Sequence, residues 1–248
     1  MCLAAVLYRV VDGFSAVVVA NREEFYARPA SRPQIRQAST PVLCGTDLRA
    51  GGTWLGVNGR GVIVGVTNRD DKAGDGKIPA VRSRGLLCAD LLACPNAESV
   101  VADSCRELRT GRYADCNLFC VDAGAAYVVH GGSDVRVAVL SPGIHVLTSG
   151  DVDDSRDLRV RRASEFLAAK SGAEMANWED HCKELCRLHG DDGPPICLHG
   201  IDRGTVSSTI IALHRRIDEA RYLHSSGPPC MTEYEDFSDP LQAQVLGV

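Results

Sequence analysis

No apolar run in this chain approaches the roughly 18 residues that a membrane-spanning helix needs, so no membrane span is expected. The apolar opening, MCLAAVLYRVVDGFSAVVVA, is broken by Arg9 and Asp12 and followed by Asn21 and Arg22, which argues against a secretory signal. Positive charge is not in excess either. With a net charge of −5 and a pI of about 5.8, there is no electrostatic case for nucleic acid. The eleven cysteines include no Cys-x-x-Cys pair, so structural zinc and thioredoxin-like redox chemistry both lack their usual signature. In a chain without an export signal these thiols are expected to be free and mostly small buried hydrophobes, and the expected location is cytoplasmic. Internal repeats are absent.

Two short glycine-rich stretches imitate phosphate-binding motifs and fail. GVNGRG (56–61) is out of frame with GxGxxG and reads better as a hairpin turn at Asn58-Gly59. GDGKIP (74–79) lacks the spaced first glycine and the Ser/Thr of a phosphate loop. No nucleotide or other cofactor is expected.

What is present is a chain able to bury a large core: 248 residues, 45% hydrophobic and 24% charged. Residues 3–11 and 14–20 predict a hairpin through Asp12-Gly13, TWLGV and GVIVGVTN a second, and NLFCVDAGAAYVVH a third. Such short turns imply antiparallel pairing. AVVVA (16–20) and VIVGV (62–66) are apolar at every position, so these strands need cover on both faces. Helices predicted over 81–94, from an Asn96 cap to near Gly111, over 154–170 and over 177–189 supply it. TVSSTIIALH predicts a late strand and ARYLHS another. Strands and helices come in blocks, an α+β pattern. The expected organisation is one domain over 1–224, followed by a surface-bound or mobile extension over 225–248 that carries Gly, Pro and acidic residues.

Among metal candidates, HCKELCRLH (181–189) places Cys182, Cys186 and His189 at i, i+4 and i+7, with Cys197 and His199 shortly after. Aligned cysteines at helical spacing are more often a buried stripe, and no second close pair exists, so the core reading is preferred and no metal is expected. His130, His145, His214 and His224 flank strands singly and have no evident partner.

Cys2 differs from the other ten thiols. Met1 is removable when residue 2 is small, which would leave a thiol and an α-amine on one residue. That amine has a reference pKa of about 7.7–8.0, so it can accept the thiol proton and later return it to a leaving group. By position alone, packing and chemistry are evenly balanced for Cys2.

The rest of the first third tips the balance. ANREEFYARPA (20–30) resembles the Asn-Arg-Asp-Glu signature of the NRDE family, also called the transport-and-Golgi-organisation family. GGTWLGVNGRGVIVGVTNR (51–69), RSRGLL (82–87), the Asn in ADCNLF (114–119) and GTVSSTIIAL (204–213) are similar to that family too. The resemblance implies an N-terminal-nucleophile (Ntn) hydrolase fold, an αββα four-layer sandwich with two stacked antiparallel sheets. It also implies kinship with cysteine-headed amidases such as penicillin V and bile-salt acylases. On that resemblance Cys2 would be the nucleophile, and Asn21, Arg22 and Glu24 would orient its amine or the substrate. Asn68 and Asn117 would stabilise an oxyanion, while Arg69 and Arg82, with Arg22, would hold a substrate carboxylate or phosphate. Three departures stand out: Glu23 where the family has Asp, Val206 where it has Arg, and HVLTSGD (145–151), which follows the family only loosely.

Two functions follow as expectations. One is hydrolysis of a non-peptide amide or related acyl bond through a Cys2 thioester, with a small-molecule substrate. The other is non-enzymatic handling of haem, lipid or acyl-CoA in the same cavity, with Cys or His as an axial haem ligand. Cys94-Pro95 resembles a haem-regulatory dipeptide but is better explained as a helix stop.

Overall fold

The computed structural model describes residues 2–37, 40–70, 80–170 and 177–247; Met1 and GDGKIP lie outside them. The chain begins with β1 (Leu3–Tyr8), β2 (Phe14–Phe25), β3 (Gln34–Arg36), β4 (Val42–Cys44), β5 (Leu55–Asn58) and β6 (Ile63–Asn68). Two helices follow, α1 (Arg84–Leu91) and α2 (Ala97–Leu108), then β7 (Cys116–Val121), β8 (Ala126–Gly131), β9 (Val135–Val139) and β10 (Gly143–Leu147). After α3 (Leu158–Ala168) and α4 (Trp178–Arg187) come β11 (Arg203–His214), β12 (Arg221–Ser225) and β13 (Glu235–Asp236).

Every strand pairing is antiparallel. One sheet runs β10-β1-β2-β11-β12-β13, and the other runs β3 to β9 in chain order. The unalternating strands explain the layering. In β2, Ala16 and Val18 enter the core between the sheets, while Val17 and Val19 face the layer of α3 and α4. On β6, Ile63 points between the sheets and Val64 and Val66 point to α1 and α2. Period-two side chains with no polar member therefore demand a helix–sheet–sheet–helix stack, and this is the observed architecture.

Local signals set the element ends. Gly13 sits at φ +82°, a left-handed conformation that suits glycine, and closes the β1–β2 turn. Asn96 caps α2 by accepting from the Ser99 N–H at 2.8 Å, as its sequence position predicts. Two helices start later than expected. Ser83 caps α1 and Asp157 caps α3, so the residues before them are spent on the turn. Five strands escaped the sequence reading, β3, β4, β9, β10 and the two-residue β13. β3 and β4 are three residues each, and β9 and β10 are five residues with weak burial contrast. β10 matters most, because it pairs with β1 and carries HVLTSGD to the end of the sheet.

The segment read as an extension is anchored. β13 pairs with β12, and Leu241 and Val245 are buried in the inter-sheet core. Cys182 and Cys186 face the β1–β2 sheet from α4 as a fully buried stripe. Among the described residues, no helix is long and apolar enough to cross a membrane.

The histidines that lacked partners in sequence have them here. His130 Nδ1 lies 2.8 Å from Asn117 Oδ1, and His224 Nδ1 lies 2.9 Å from Thr209 Oγ1. Burial depresses each to about 4, with Arg69 adding to the effect on His130 and Arg32 on His224. Their folded pKa values lie below the unfolded one, so their stability contribution is present above about pH 6.5 and is lost as pH falls toward 4. Urea unfolding is expected to show stability falling over that window by roughly 2–3 kcal/mol per buried histidine. A flat profile from pH 7 to 4 would contradict this.

Candidate active site

Strand alternation decides which residues of the ANREEF stretch meet Cys2. Leu3 pairs with Asn21, and both face the helical layer. Cys2, one step earlier, and Arg22, one step later, turn to the opposite side. They line a shared cleft with Glu24, Arg28, Asp47, Trp54, Asn68 and Arg84.

Cys2 is half-buried, and it is the one cysteine on that lining. Burial and the Glu23 carboxylate raise its thiol pKa, against a hydrogen bond from the Glu23 backbone N–H. The resting sulfur is thus a thiol in need of a base. Arg22 is buried at 6% exposure, and its guanidinium lies 4.3 Å from the Trp54 ring centre. Among the described residues, no carboxylate is within ion-pairing distance of it. Stacking on indole offsets part of the cost of burying this cation, and the rest is available to an incoming anion. Desolvation lowers the Arg22 pKa, with Asp47 acting in the opposite sense.

Asn68 ends β6 at the cleft, and its amide makes no hydrogen bond to any described residue. Glu24 lies at the mouth, paired with Arg28 at 3.3 Å, and Arg28 binds Asp47 with Nε at 2.9 Å. Behind them Thr53 N–H donates to Gly85 O at 2.9 Å. Gly52 is packed so tightly on this turn that a Cβ would sit 2.2 Å from the Gly85 carbonyl carbon. The GGTW stretch is small there because the backbone before α1 passes against it.

Four of the residues implied by the family resemblance are not brought to this cleft. Asn21 is fully buried on the other face, and its Nδ2 donates to Cys186 O at 3.0 Å and Ile196 O at 3.1 Å. It joins β2 to the end of α4. Asn117 donates to Thr148 O at 3.3 Å and Gly150 O at 2.9 Å, and accepts from Arg69 at 3.0 Å. Its amide is committed to joining the two sheets. Arg69 itself pairs with Asp151 at 2.5 Å; against the cost of burial, hydrogen bonds from Arg136 and then Arg69 bring the Asp151 carboxyl down to about 2. Arg82 pairs with Asp90 at 2.6 Å and donates to Tyr113 Oη at 2.8 Å, on the flank of α1.

The sequence reading missed the buried pair Glu23–Arg159. Glu23 shares a face with Asn21, and the Arg159 guanidinium of α3 binds both its carboxylate oxygens. Burial raises the Glu23 pKa, opposed by Arg159. Glu23 carried a signal as a departure from the family's Asp, but Arg159 is one of several arginines in α3, and nothing in the sequence singles it out. Val206 marks a register shift between β2 and β11. It lines a second cavity that shares Arg22 and Trp54 with the first.

A family model described as Transport and Golgi organisation 2 matches residues 1–197. The chain belongs to that family. A Transport and Golgi organization 2 homolog of Mus musculus is 33% identical over 84 residues, 33% of this chain and 29% of that protein. The homolog of Bos taurus is 38% identical over 60 residues, covering 23% and 22%. The chain thus aligns with less than a third of the length of these curated relatives. Among solved structures, an N-acylethanolamine-hydrolyzing acid amidase ortholog of Caenorhabditis elegans superposes with a TM-score of 0.59 at 13% identity, over 98% of each chain. The fold of this family member is that of the Ntn hydrolases, with two stacked antiparallel sheets between helix layers.

Proposed function

We propose that this protein is an Ntn-type cysteine hydrolase that cleaves a non-peptide amide or related acyl bond through a thioester on Cys2. The observation that carries the reading is the cleft itself. It joins one half-buried thiol at the head of β1 to a buried arginine and to an amide that, among the described residues, have no carboxylate partner and no hydrogen bond respectively. The printed name of the Caenorhabditis elegans structural neighbour, an N-acylethanolamine-hydrolyzing acid amidase ortholog, supports the same class of chemistry.

In the proposed reaction the α-amine of Cys2, exposed by removal of Met1, takes the thiol proton. The sulfur attacks the acyl carbon, and Asn68 with Arg22 faces the developing oxyanion. As the C–N bond breaks, the amine returns the proton to the leaving nitrogen. Water, deprotonated by the same amine, then hydrolyses the thioester and frees the thiol. Asn21 and Asn117 act as positioning residues, holding β2 to α4 and the two sheets to each other. Glu24 holds Arg28 at the cleft mouth.

Intact-mass analysis tests the premise. The purified protein is expected to lack Met1, and a substoichiometric thiol-reactive acyl probe is expected to label Cys2 ahead of the other ten cysteines. Retained Met1, or labelling led by Cys230, would overturn the mechanism.

A further inference from the structure

A second cluster of chemistry-bearing side chains lies apart from the cleft. Three segments converge there: the end of α4 at His189, the loop through Cys197 and His199, and the turn at Cys230. Cys197 Sγ lies 3.6 Å from Cys230 Sγ and 3.7 Å from His199 Nε2, and His199 Nε2 lies 3.2 Å from Cys230 Sγ. The potential ligand atoms of His189, His199 and Cys230 all fall within 4.8 Å of one another. The two imidazoles are stacked, with ring centres 5.3 Å apart.

We propose that Cys197, Cys230, His199 and His189 form a structural site for a single Zn²⁺ ion. The edge lengths support it. A tetrahedral zinc with ordinary bond lengths places two thiolate sulfurs about 3.8 Å apart and a sulfur and a nitrogen about 3.6 Å apart. The three edges among Cys197, Cys230 and His199 lie within about 0.4 Å of these values, and the His189 ring nitrogen stands farther out, within 4.8 Å of His199 and Cys230, so it would have to swing inward to complete the tetrahedron. A disulfide needs sulfurs about 2.05 Å apart and has no use for two imidazole nitrogens beside them. Two thiolates also neutralise the charge of the ion, so the half-buried site carries no net charge once both thiol protons leave.

The backbone around the ligands is already tied down. Leu188 O accepts from both Ile196 N–H at 3.0 Å and Cys197 N–H at 2.9 Å, and Arg162 donates to His189 O at 2.6 Å. Arg187 Nε donates to Pro229 O at 2.9 Å and docks the Cys230 turn on α4. Sequence spacing hides the site, because Cys197 and Cys230 are 33 residues apart and form no close pair. The aligned Cys182 and Cys186, which look more like ligands in sequence, are the buried stripe. The ion would clamp the turn that leads into the C-terminal segment onto the loop bearing His199. That loop also forms the wall of a cavity shared with Glu23 and Arg203.

The test is a Co²⁺ titration of the full, reduced, chelator-stripped protein. One equivalent is expected to give the red ligand-field bands of tetrahedral cobalt with thiolate charge transfer in the near ultraviolet, both abolished by Zn²⁺. Cys230→Ser and His199→Asn are each expected to weaken binding at least about tenfold. His199 is exposed, so that variant separates ligand loss from misfolding. Cys2→Ala is expected to keep the full signal. In the wild type, Zn²⁺ should also raise the melting temperature, and it should not do so in Cys230→Ser. Three results would overturn the proposal: no tetrahedral spectrum from protein whose thiols titrate as free; an undiminished spectrum in Cys230→Ser; or a Cys197–Cys230 disulfide whose reduced form binds no Co²⁺.

Discussion

Cys2→Ala is expected to leave the chain folded and to lower turnover of an N-acyl amide or thioester substrate by about 10³-fold or more. The fold should survive because Cys2 precedes β1 and is only half-buried, so losing one sulfur opens no closed cavity. Activity should not survive, since the other cysteines do not line the cleft. Cys2→Ser is the sharper variant. It keeps the hydrogen-bond donor and the shape, but the weaker nucleophile is expected to retain only a small residue of activity. The pH profile distinguishes the proposed base. If the Cys2 amine activates the raised-pKa thiol, kcat/KM should climb through an apparent pKa near 7.7–8.0. A panel of acyl amides and thioesters, assayed by product release and paired with circular dichroism, checks both halves. Equal activity in wild type and Cys2→Ala on any such substrate rules out the thioester.

Arg159→Met is expected to cost roughly 3–5 kcal/mol of stability at neutral pH. The Glu23 side chain is 1% exposed and that of Arg159 13%, so removing the guanidinium leaves a carboxylate in the interior. It also leaves Pro195 O without the Nε donor that binds it at 2.9 Å. The sign of the pH dependence follows. Without Arg159 the folded-state Glu23 pKa rises further above its unfolded value. The neutral form is then the stable one, so stability is greatest below the unfolded pKa of about 4.3 and is lost as pH rises through the folded pKa. The difference between wild type and variant should therefore shrink on acidification. Adding Glu23→Gln should recover much of the loss, because no charge remains buried. Chemical denaturation at pH 5 and pH 8 measures this, and equal destabilisation at both pH values counts against a buried pair.

Much of the architecture was legible in the sequence. AVVVA and VIVGV have no polar face, so two stacked sheets with helices outside were nearly forced by the cost of exposing either side. The hairpin at Gly13 and the cap at Asn96 were readable because each depends on one residue's own conformational or hydrogen-bonding preference. Cys2 was readable as special through its place in the chain, and Arg22 and Asn68 through family motifs.

Tertiary structure alone decided the rest, and the reason is the direction of side chains relative to partners distant in sequence. Asn21 and Arg22 are neighbours in one motif, yet the pleat sends one into the helical layer and the other to Cys2. Asn117, Arg69 and Arg82 are plausible binding groups by type, but Thr148, Gly150, Asp151 and Asp90 already hold them. Glu23 and Arg159 meet across 136 positions of sequence, and Cys197 and Cys230 across 33. No local pattern encodes such encounters. They exist because α3 and α4 pack on the outer face of the β1–β2 sheet and bring their own polar groups with them.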